Sequence, residues 1–174
     1  MTAARSRVLV PVAELRRRPG NRSQVDLEVP AGGLSTSSAS TPEGVEAQVH
    51  LHLESQSDGV TVTGTVVVPW EGWCRRCLGA CGGDLEAEFA EVFSTHPDGV
   101  DLLPFDGDAV DLTDAVHEAI VLGLPLAPLC RQDCPGPEPG AFPVSVESGD
   151  ASDRRDPRWA ALDELRFDPG EEGG

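Results

Sequence analysis

Alternating apolar and polar residues over residues 45–54 constrain the fold of this chain more than any other feature. Valine, alanine and leucine occupy every second position, with glutamate, glutamine and histidine between them. Side chains on a β-strand point alternately to its two faces, so this pattern predicts a strand with one buried face. The alternation resumes over residues 60–68, after the turn residues Ser57-Asp58-Gly59. Together the two runs predict a β-hairpin.

Two other segments have less uniform patterns. Residues 7–15 carry valine at alternate positions, which indicates a strand, and Pro11 assigns that strand to a sheet edge or a bulge. Residues 84–93 fit both the period of a strand and the period of a helix. The pattern alone therefore leaves both alternatives open for residues 84–93.

A helix is predicted over residues 112–124. Apolar side chains recur there at the helical period, with Val116 and Ile120 directed inward, while Asp111 can cap the first turn and Pro125 ends the helix. The predicted fold is α+β, in which this helix packs on a mostly antiparallel sheet. The predicted sheet comprises residues 7–15, 45–69 and 84–93.

Length and composition predict one domain followed by tails. The 174 residues suffice for one hydrophobic core of ordinary size, which we place in residues 1–134. Residues 31–44 offer little that could be buried and predict a mobile loop within the domain. Residues 135–155, rich in proline, glycine, serine and acid, predict a flexible linker. We expect residues 156–174 to form a short C-terminal helix and an acidic tail.

Charge is distributed unevenly along the chain. Residues 1–22 carry six arginines against one acid, whereas residues 23–174 carry seven arginines against 29 acids. This asymmetry predicts a basic N-terminal arm on an acidic body. The alternative is that the arginines only keep an N-terminal strand soluble.

Sequence motifs give no support for an enzyme or a membrane protein. The chain lacks the G-x-S-x-G elbow, the P-loop and the H-E-x-x-H motif, and we expect His117 and Glu118 at the surface. It also lacks the run of about eighteen apolar residues that a spanning helix needs, and its N-terminus lacks an apolar signal core. We therefore expect a cytoplasmic, non-enzymatic protein.

Four of the five cysteines form two close pairs, which predict a metal site. Cys74 and Cys77 form a C-x-x-C turn, and Cys130 and Cys134 form a C-x-x-x-C turn. Thiolates are strong zinc ligands, and either spacing lets two sulfurs of one turn reach the same tetrahedral ion. The sequence therefore predicts a structural zinc site made by these four cysteines.

Two alternatives to zinc stay open. The segment Trp73-Cys74-Arg75-Arg76-Cys77 is similar to the tryptophan-led dithiol turn of thioredoxin-like enzymes, which would make the protein a thiol redox protein. Gly79 and the pair Gly82-Gly83 argue against the continuous helix that this redox chemistry requires. In the other alternative, the cysteines are unreactive free thiols. Cys81 has no assigned role.

The two cysteine turns belong to a longer series of motifs. The C-R-R-C-L turn at residues 74–78, the Leu-Pro that ends the helix at 124–125 and the C-R-x-D-C turn at 130–134 follow in this order. Residues 14–20 and 156–162 extend the series over nearly the whole chain. In this combination the chain resembles the bacterial YceD family, the large ribosomal RNA subunit accumulation proteins.

The resemblance implies a non-enzymatic factor in the synthesis, processing or accumulation of large-subunit ribosomal RNA. Its partner would be that RNA or a pre-ribosomal particle, and the resemblance also favours a strand over residues 84–93. The candidate RNA contacts are Arg16, Arg17, Arg18 and Arg22, whose charges suit phosphate groups. The alternative is an acidic adaptor that never contacts RNA and binds a basic ribosomal protein or an assembly factor.

The chain departs from the family pattern after Cys134. Many relatives continue there into a second dithiol turn, Leu-Cys-Pro-x-Cys-Gly, whereas this chain has Gly136-Pro137-Glu138-Pro139-Gly140. If the family site is a contiguous C-terminal cluster, this protein has lost it. If the site joins the two distant turns, it is intact.

Overall fold

A computed structural model describes residues 7–97, 102–138 and 140–141. The chain divides into two units, residues 1–137 and 138–174, and every element named below lies in the first. The C-terminal helix predicted within residues 156–174 lies outside the described residues. No helix in the described ranges combines the length and the apolar character needed to cross a bilayer.

The described residues form a mostly antiparallel sheet with one α-helix. The strands are β1 (Leu9–Pro11), β2 (Arg22–Pro30), β3 (Ala39–Ser40), β4 (Glu46–Ser55), β5 (Gly59–Trp73), β6 (Ala80–Ser94), β7 (Leu103–Pro104) and β8 (Ala109–Asp111). The helix is α1 (Thr113–Gly123), and a 3-10 turn covers Leu15–Arg17. The main sheet has the order β2-β4-β5-β6-β7, in which only the β6–β7 pairing is parallel, while β3 pairs with β5.

The predicted hairpin is confirmed as β4 and β5. Val49 lies opposite Val66, and Leu53 lies opposite Val62, so their side chains share the buried face of the sheet. The ambiguous segment 84–93 is a strand, because it belongs to β6, which pairs with β5 along its whole length. The long β5–β6 pair therefore carries the chain out of the core to the first cysteine turn.

The predicted helix is confirmed, and it packs on β6 and β5. Val116 and Ile120 are fully buried, as the helical period predicts. A Cβ atom on Gly123 would approach Leu85 Cδ1 to 2.8 Å, so this glycine permits close packing of the helix on β6. The expected surface position of His117 is wrong, because this side chain is buried within the described structure.

The N-terminal half contains two structural features that the sequence patterns did not predict. Residues 22–30 were not assigned to the sheet, although Val25, Leu27 and Val29 alternate there and form its edge strand β2. Residues 31–44, predicted as a mobile loop, are held by β3 and by Thr41 Oγ1, which donates a hydrogen bond to the carbonyl oxygen of Ala31. Thr41 is buried together with Ala31 and Ala39, so these few small side chains suffice to anchor the segment.

The predicted strand over residues 7–15 is shorter than expected and belongs to a separate small sheet. Only β1 is extended, and it pairs with β8 rather than with the main sheet. Val10 and Val12 are buried there, and the backbone N–H of Val8 donates to Thr113 Oγ1 at 2.8 Å. From residue 7 onward the predicted basic arm is therefore part of the fold.

The N-cap of α1 is Leu112 rather than the expected Asp111. Asp111→Ala is still expected to destabilise the domain by about 1–2 kcal/mol, because it removes the carboxylate that accepts the N–H and the hydroxyl of Thr113 at the start of α1. Asp111 Oδ1 accepts the N–H of Thr113 at 3.0 Å, and Oδ2 accepts Arg7 Nη2 at 2.7 Å. The Thr113 hydroxyl, assisted by Arg7, lowers the pKa of Asp111. The stabilisation is therefore complete above about pH 4 and is lost as the pH falls through the lowered pKa.

Urea denaturation of wild type and variant at neutral pH, and in steps below about pH 4, checks this prediction. The difference in the free energy of unfolding between the two proteins should become smaller as the pH falls. Arg7→Gln is the matched control, because it removes only a solvent-exposed ion pair worth less than about 1 kcal/mol. Equal stability of Asp111→Ala and wild type at neutral pH would show that the Asp111 carboxylate does not stabilise the start of α1.

Candidate metal centre

Four cysteine sulfurs from two distant turns converge at one end of the β5–β6 pair. Cys74 and Cys77 follow β5, and Cys130 and Cys134 follow α1. The four Sγ atoms lie within 4.8 Å of one another, with 3.7 Å from Cys74 to Cys134 and 3.8 Å from Cys77 to Cys130. A zinc ion with four sulfurs at about 2.3 Å would have sulfurs about 3.8 Å apart. The donor set and its spacing can therefore hold a metal ion.

Hydrogen bonds between the two turns hold them together without help from the sulfurs. The backbone N–H of Arg75 donates to the carbonyl oxygen of Pro128 at 2.9 Å. The Arg76 guanidinium donates through Nη1 to the carbonyl oxygens of Gln132 at 3.3 Å and Cys134 at 3.1 Å. The two distant turns therefore lie together, which is the arrangement that the second of the two alternatives requires.

The first cysteine turn has the tight geometry of a metal-binding loop. The N–H of Leu78 donates to the carbonyl oxygen of Cys74, and the N–H of Cys74 donates to that of Gly79, both at 2.8 Å. The N–H of Arg76 donates to Cys74 Sγ at 3.4 Å. Leu78 has φ +58°, a left-handed conformation that costs a side-chain-bearing residue about 1–2 kcal/mol. The chain turns back through this strained residue, so that both sulfurs point the same way.

The electrostatic surroundings of the cluster favour the thiolate form of Cys74. Backbone N–H groups of Cys77, Cys130 and Arg76 point at Cys74 Sγ and lower the pKa of Cys74 to about 6. Hydrogen bonding with Cys134 and partial loss of hydration at the sulfur raise the pKa of Cys130 to about 12. Adjacent sulfurs cannot all carry negative charge without a cation, and a divalent metal would displace the remaining protons.

The four sulfurs of the cluster differ in their exposure to solvent. Cys74 is fully buried and Cys134 nearly so, whereas Cys77 is half-buried and Cys130 is exposed. Thiol–disulfide exchange needs an attacking sulfur that an external disulfide can reach, and the low-pKa sulfur of Cys74 is enclosed. Cys81 lies outside the four-sulfur set, and burial together with the nearby Cys74 and Cys77 raises the pKa of Cys81.

Comparison with known proteins places the chain in a family. Residues 62–166, more than half of the chain, match the family model described as the large ribosomal RNA subunit accumulation protein YceD. The chain belongs to the YceD family. An uncharacterized protein of Mycobacterium tuberculosis is 34% identical over 171 residues, which cover 92% of this chain and 82% of that protein. An uncharacterized protein of Mycobacterium leprae is 33% identical over 92% of this chain and 78% of its own. No solved structure matches.

The four candidate RNA contacts of this YceD-family protein differ in their surroundings. Arg16 is held by the fold: its guanidinium lies 5.1 Å from the Phe105 ring centroid and donates to the carbonyl oxygen of Gly107 at 3.2 Å. The other three arginines are exposed. Arg17 pairs with Glu14 and Arg22 pairs with Glu54, whereas the side chain of Arg18 has no partner within the described residues.

Exposed ion pairs contribute little and exchange readily with other anions. Arg17, Arg18 and Arg22 are therefore accessible to phosphate, whereas Arg16 has a structural role that the sequence did not reveal.

Two exposed apolar side chains beside the cysteines were also missed by the sequence analysis. The side chain of Trp73 is 67% exposed and that of Leu78 is 69% exposed. Trp73 was considered only as part of a redox motif, and Leu78 only as part of the family pattern. Their exposure could have been predicted from their position beside the predicted cysteine ligands, because an apolar side chain in a metal-binding turn lies away from the hydrophobic core.

Proposed function

We propose that this protein is a non-enzymatic, cytoplasmic factor in the synthesis, processing or accumulation of large-subunit ribosomal RNA. The observation that carries the proposal is the match of residues 62–166 to the YceD family model. Large-subunit ribosomal RNA or a pre-ribosomal particle is the proposed partner.

Zinc is the proposed metal, and its role is structural. Four thiolates at tetrahedral spacing suit zinc, and closed four-cysteine sites support folding rather than catalysis. The ion would cross-link two turns that are about fifty residues apart in sequence, so its binding free energy would add to the stability of the folded chain. This arrangement supports a binding protein, in which the metal stabilises an interaction surface, rather than an enzyme.

Direct RNA contact is proposed for the exposed arginines Arg17, Arg18 and Arg22. They lie near the end of the sheet where Arg22 pairs with Glu54, so phosphate groups could approach them together. The rest of the chain is strongly acidic, which would limit non-specific binding to nucleic acid.

The acidic sheet surface favours a second candidate function, a protein-binding adaptor. Cross-strand pairing places a group of carboxylates on the solvent-facing side of the sheet. They include Asp26, Glu28, Glu46, Glu54, Glu86 and Glu88. A basic ribosomal protein or an assembly factor would complement this face. Affinity capture with and without ribonuclease discriminates the two functions, since only an adaptor keeps its partner after RNA is digested.

Deletion of the gene is expected to lower large-subunit ribosomal RNA relative to small-subunit RNA. Quantitative gradient profiles and RNA ratios measure this effect. A variant with Arg17, Arg18 and Arg22 changed to Gln should fold normally and restore the ratio incompletely, because it lacks phosphate contacts. A normal ratio in the deletion strain would remove the proposed function, and full rescue by the Gln variant would remove only the arginine contact. Melting temperature and protein level of the variant are the controls.

A further inference from the structure

We propose that Trp73 and the groove beside it bind an unpaired nucleotide of RNA, with the indole as a stacking platform. This inference rests on the proposed function, because it identifies the surface through which an RNA partner would be held. It places RNA recognition at the cysteine turn rather than only at the N-terminal arginines.

The groove lies between residues 35–40 and the adjoining ends of β5 and β6. Its volume is about 400 Å³, and Trp73 forms part of its wall. The loop is fastened to β5 by β3, in which Ala39 lies opposite Gly72. A Cβ atom on Gly72 would come within 2.5 Å of the carbonyl oxygen of Ser38, so only glycine permits this approach. The backbone pairing of the fold therefore determines the shape of the groove.

The lining of the groove suits a nucleotide better than an apolar side chain of a protein. Serine residues at positions 35, 37, 38 and 40 line it together with the carboxylate of Glu71. Thr36 Oγ1 orders this loop by accepting the N–H groups of Ser38 and Ala39, both at 3.3 Å. Hydroxyls and a carboxylate can hydrogen-bond a ribose 2′-hydroxyl and the amino groups of an exposed base edge.

The side chain of Trp73 is exposed, whereas its backbone is held in the sheet. It lies opposite Ala80 at the end of the β5–β6 pair, and the next residue, Cys74, is fully buried in the four-sulfur cluster. The backbone of Trp73 is therefore anchored, and its indole, in a residue that is 67% exposed, offers a face on which a base can stack. Stacking of a base on an aromatic side chain contributes about 1–3 kcal/mol.

Two neighbours of Trp73 extend the surface. Arg75 is exposed, and its side chain has no partner within the described residues, so it can reach a phosphate next to the stacked base. Leu78 is 69% exposed in a strained left-handed conformation. The left-handed conformation belongs to the cysteine turn, and the exposure of Leu78 leaves an apolar side chain close in sequence to Trp73. The charge of this surface is small, so stacking rather than phosphate attraction would dominate binding.

This surface is separate from the N-terminal arginines. Arg22 pairs with Glu54, and Glu54 lies opposite Thr61 near the start of β5, whereas Trp73 ends that strand. Twelve residues of extended chain correspond to about 40 Å. The effects of substitutions at the two surfaces on RNA binding can therefore be measured independently.

The test measures binding of the full-length, metal-loaded protein to a labelled, unstructured RNA of about twelve nucleotides by fluorescence anisotropy. Trp73→Ala should weaken binding about tenfold or more, and Trp73→Phe should retain most of the affinity. The logarithm of affinity should fall with the logarithm of salt concentration with a slope near −1, since about one or two phosphates are contacted. Arg75→Gln should reduce that slope by about 0.7. A base-paired RNA should bind more weakly than the single strand.

Leu122→Ala is the matched control, because Leu122 is an equally exposed apolar residue on α1. Unchanged RNA affinity of a folded Trp73→Ala protein overturns the proposal, as does failure of the wild type to bind the single strand. Loss of a ribonuclease-resistant protein partner from Trp73→Ala, with RNA affinity unchanged, would make the surface a protein site instead. A normal ribosomal RNA ratio in the deletion strain would remove the proposed function while leaving this binding result intact.

Discussion

Ile120→Asp is expected to unfold the domain under conditions in which the wild-type protein is folded. Ile120 is fully buried against the sheet, and loss of its burial costs about 1.5–3 kcal/mol. The new carboxylate would also be buried without a partner, which adds several kcal/mol. The sum is comparable to the total stability of a domain of this size, about 5–15 kcal/mol. Circular dichroism and urea denaturation measure the effect.

Leu122→Asp is the matched control for this prediction. Leu122 lies two residues further along the same helix and is 75% exposed, so a charge there stays in water. We expect a change within about 0.5 kcal/mol of wild type. If Ile120→Asp melted at the same temperature as wild type, the assignment of α1 to the core of the sheet would be wrong.

Cys74→Ser should abolish metal binding and destabilise the domain by more than about 3 kcal/mol. The substitution removes a fully buried sulfur ligand, and it leaves three thiols that cannot complete a tetrahedral site. Zinc content should fall from about one ion per chain to less than about 0.2. Elemental analysis and thermal denaturation, with and without a chelator, measure both effects.

The fifth cysteine supplies the control. Cys81 is a free thiol outside the four-sulfur set, so Cys81→Ser should keep the metal and nearly all of the stability. If the Cys74→Ser protein were as stable as wild type, the alternative in which the cysteines are free, unreactive thiols would be supported. Equal loss of metal from both variants would show that the ligand set is wrong.

Strands with full alternation were predictable from the sequence, and less regular ones were not. Residues 45–54 and 60–68 repeat large apolar residues often enough to specify β4 and β5 by themselves. β2 has the same alternation over only three apolar positions, a shorter run that specifies a strand less strongly. The anchoring of residues 31–44 could not be predicted, because small buried side chains such as Ala39 and Thr41, rather than large apolar ones, provide it.

Short-range spacing identified the candidate ligands, but the contacts around them depend on the three-dimensional structure. Each cysteine turn could be recognised locally, whereas the convergence of the two turns depends on where β5 and α1 end. The role of Arg76 depends on the backbone carbonyls of Gln132 and Cys134, which no pattern places near it. Arg16 was interpreted by its charge, and its contact with Phe105 across 89 positions was invisible for the same reason.

The most direct test of the four-sulfur centre is zinc K-edge X-ray absorption on the purified full-length protein, together with its metal content. The structure predicts about one zinc per chain with four sulfur neighbours at about 2.3 Å. Two sulfur neighbours completed by oxygen or nitrogen, or less than about 0.2 zinc per chain, would contradict a site that joins Cys74 and Cys77 to Cys130 and Cys134.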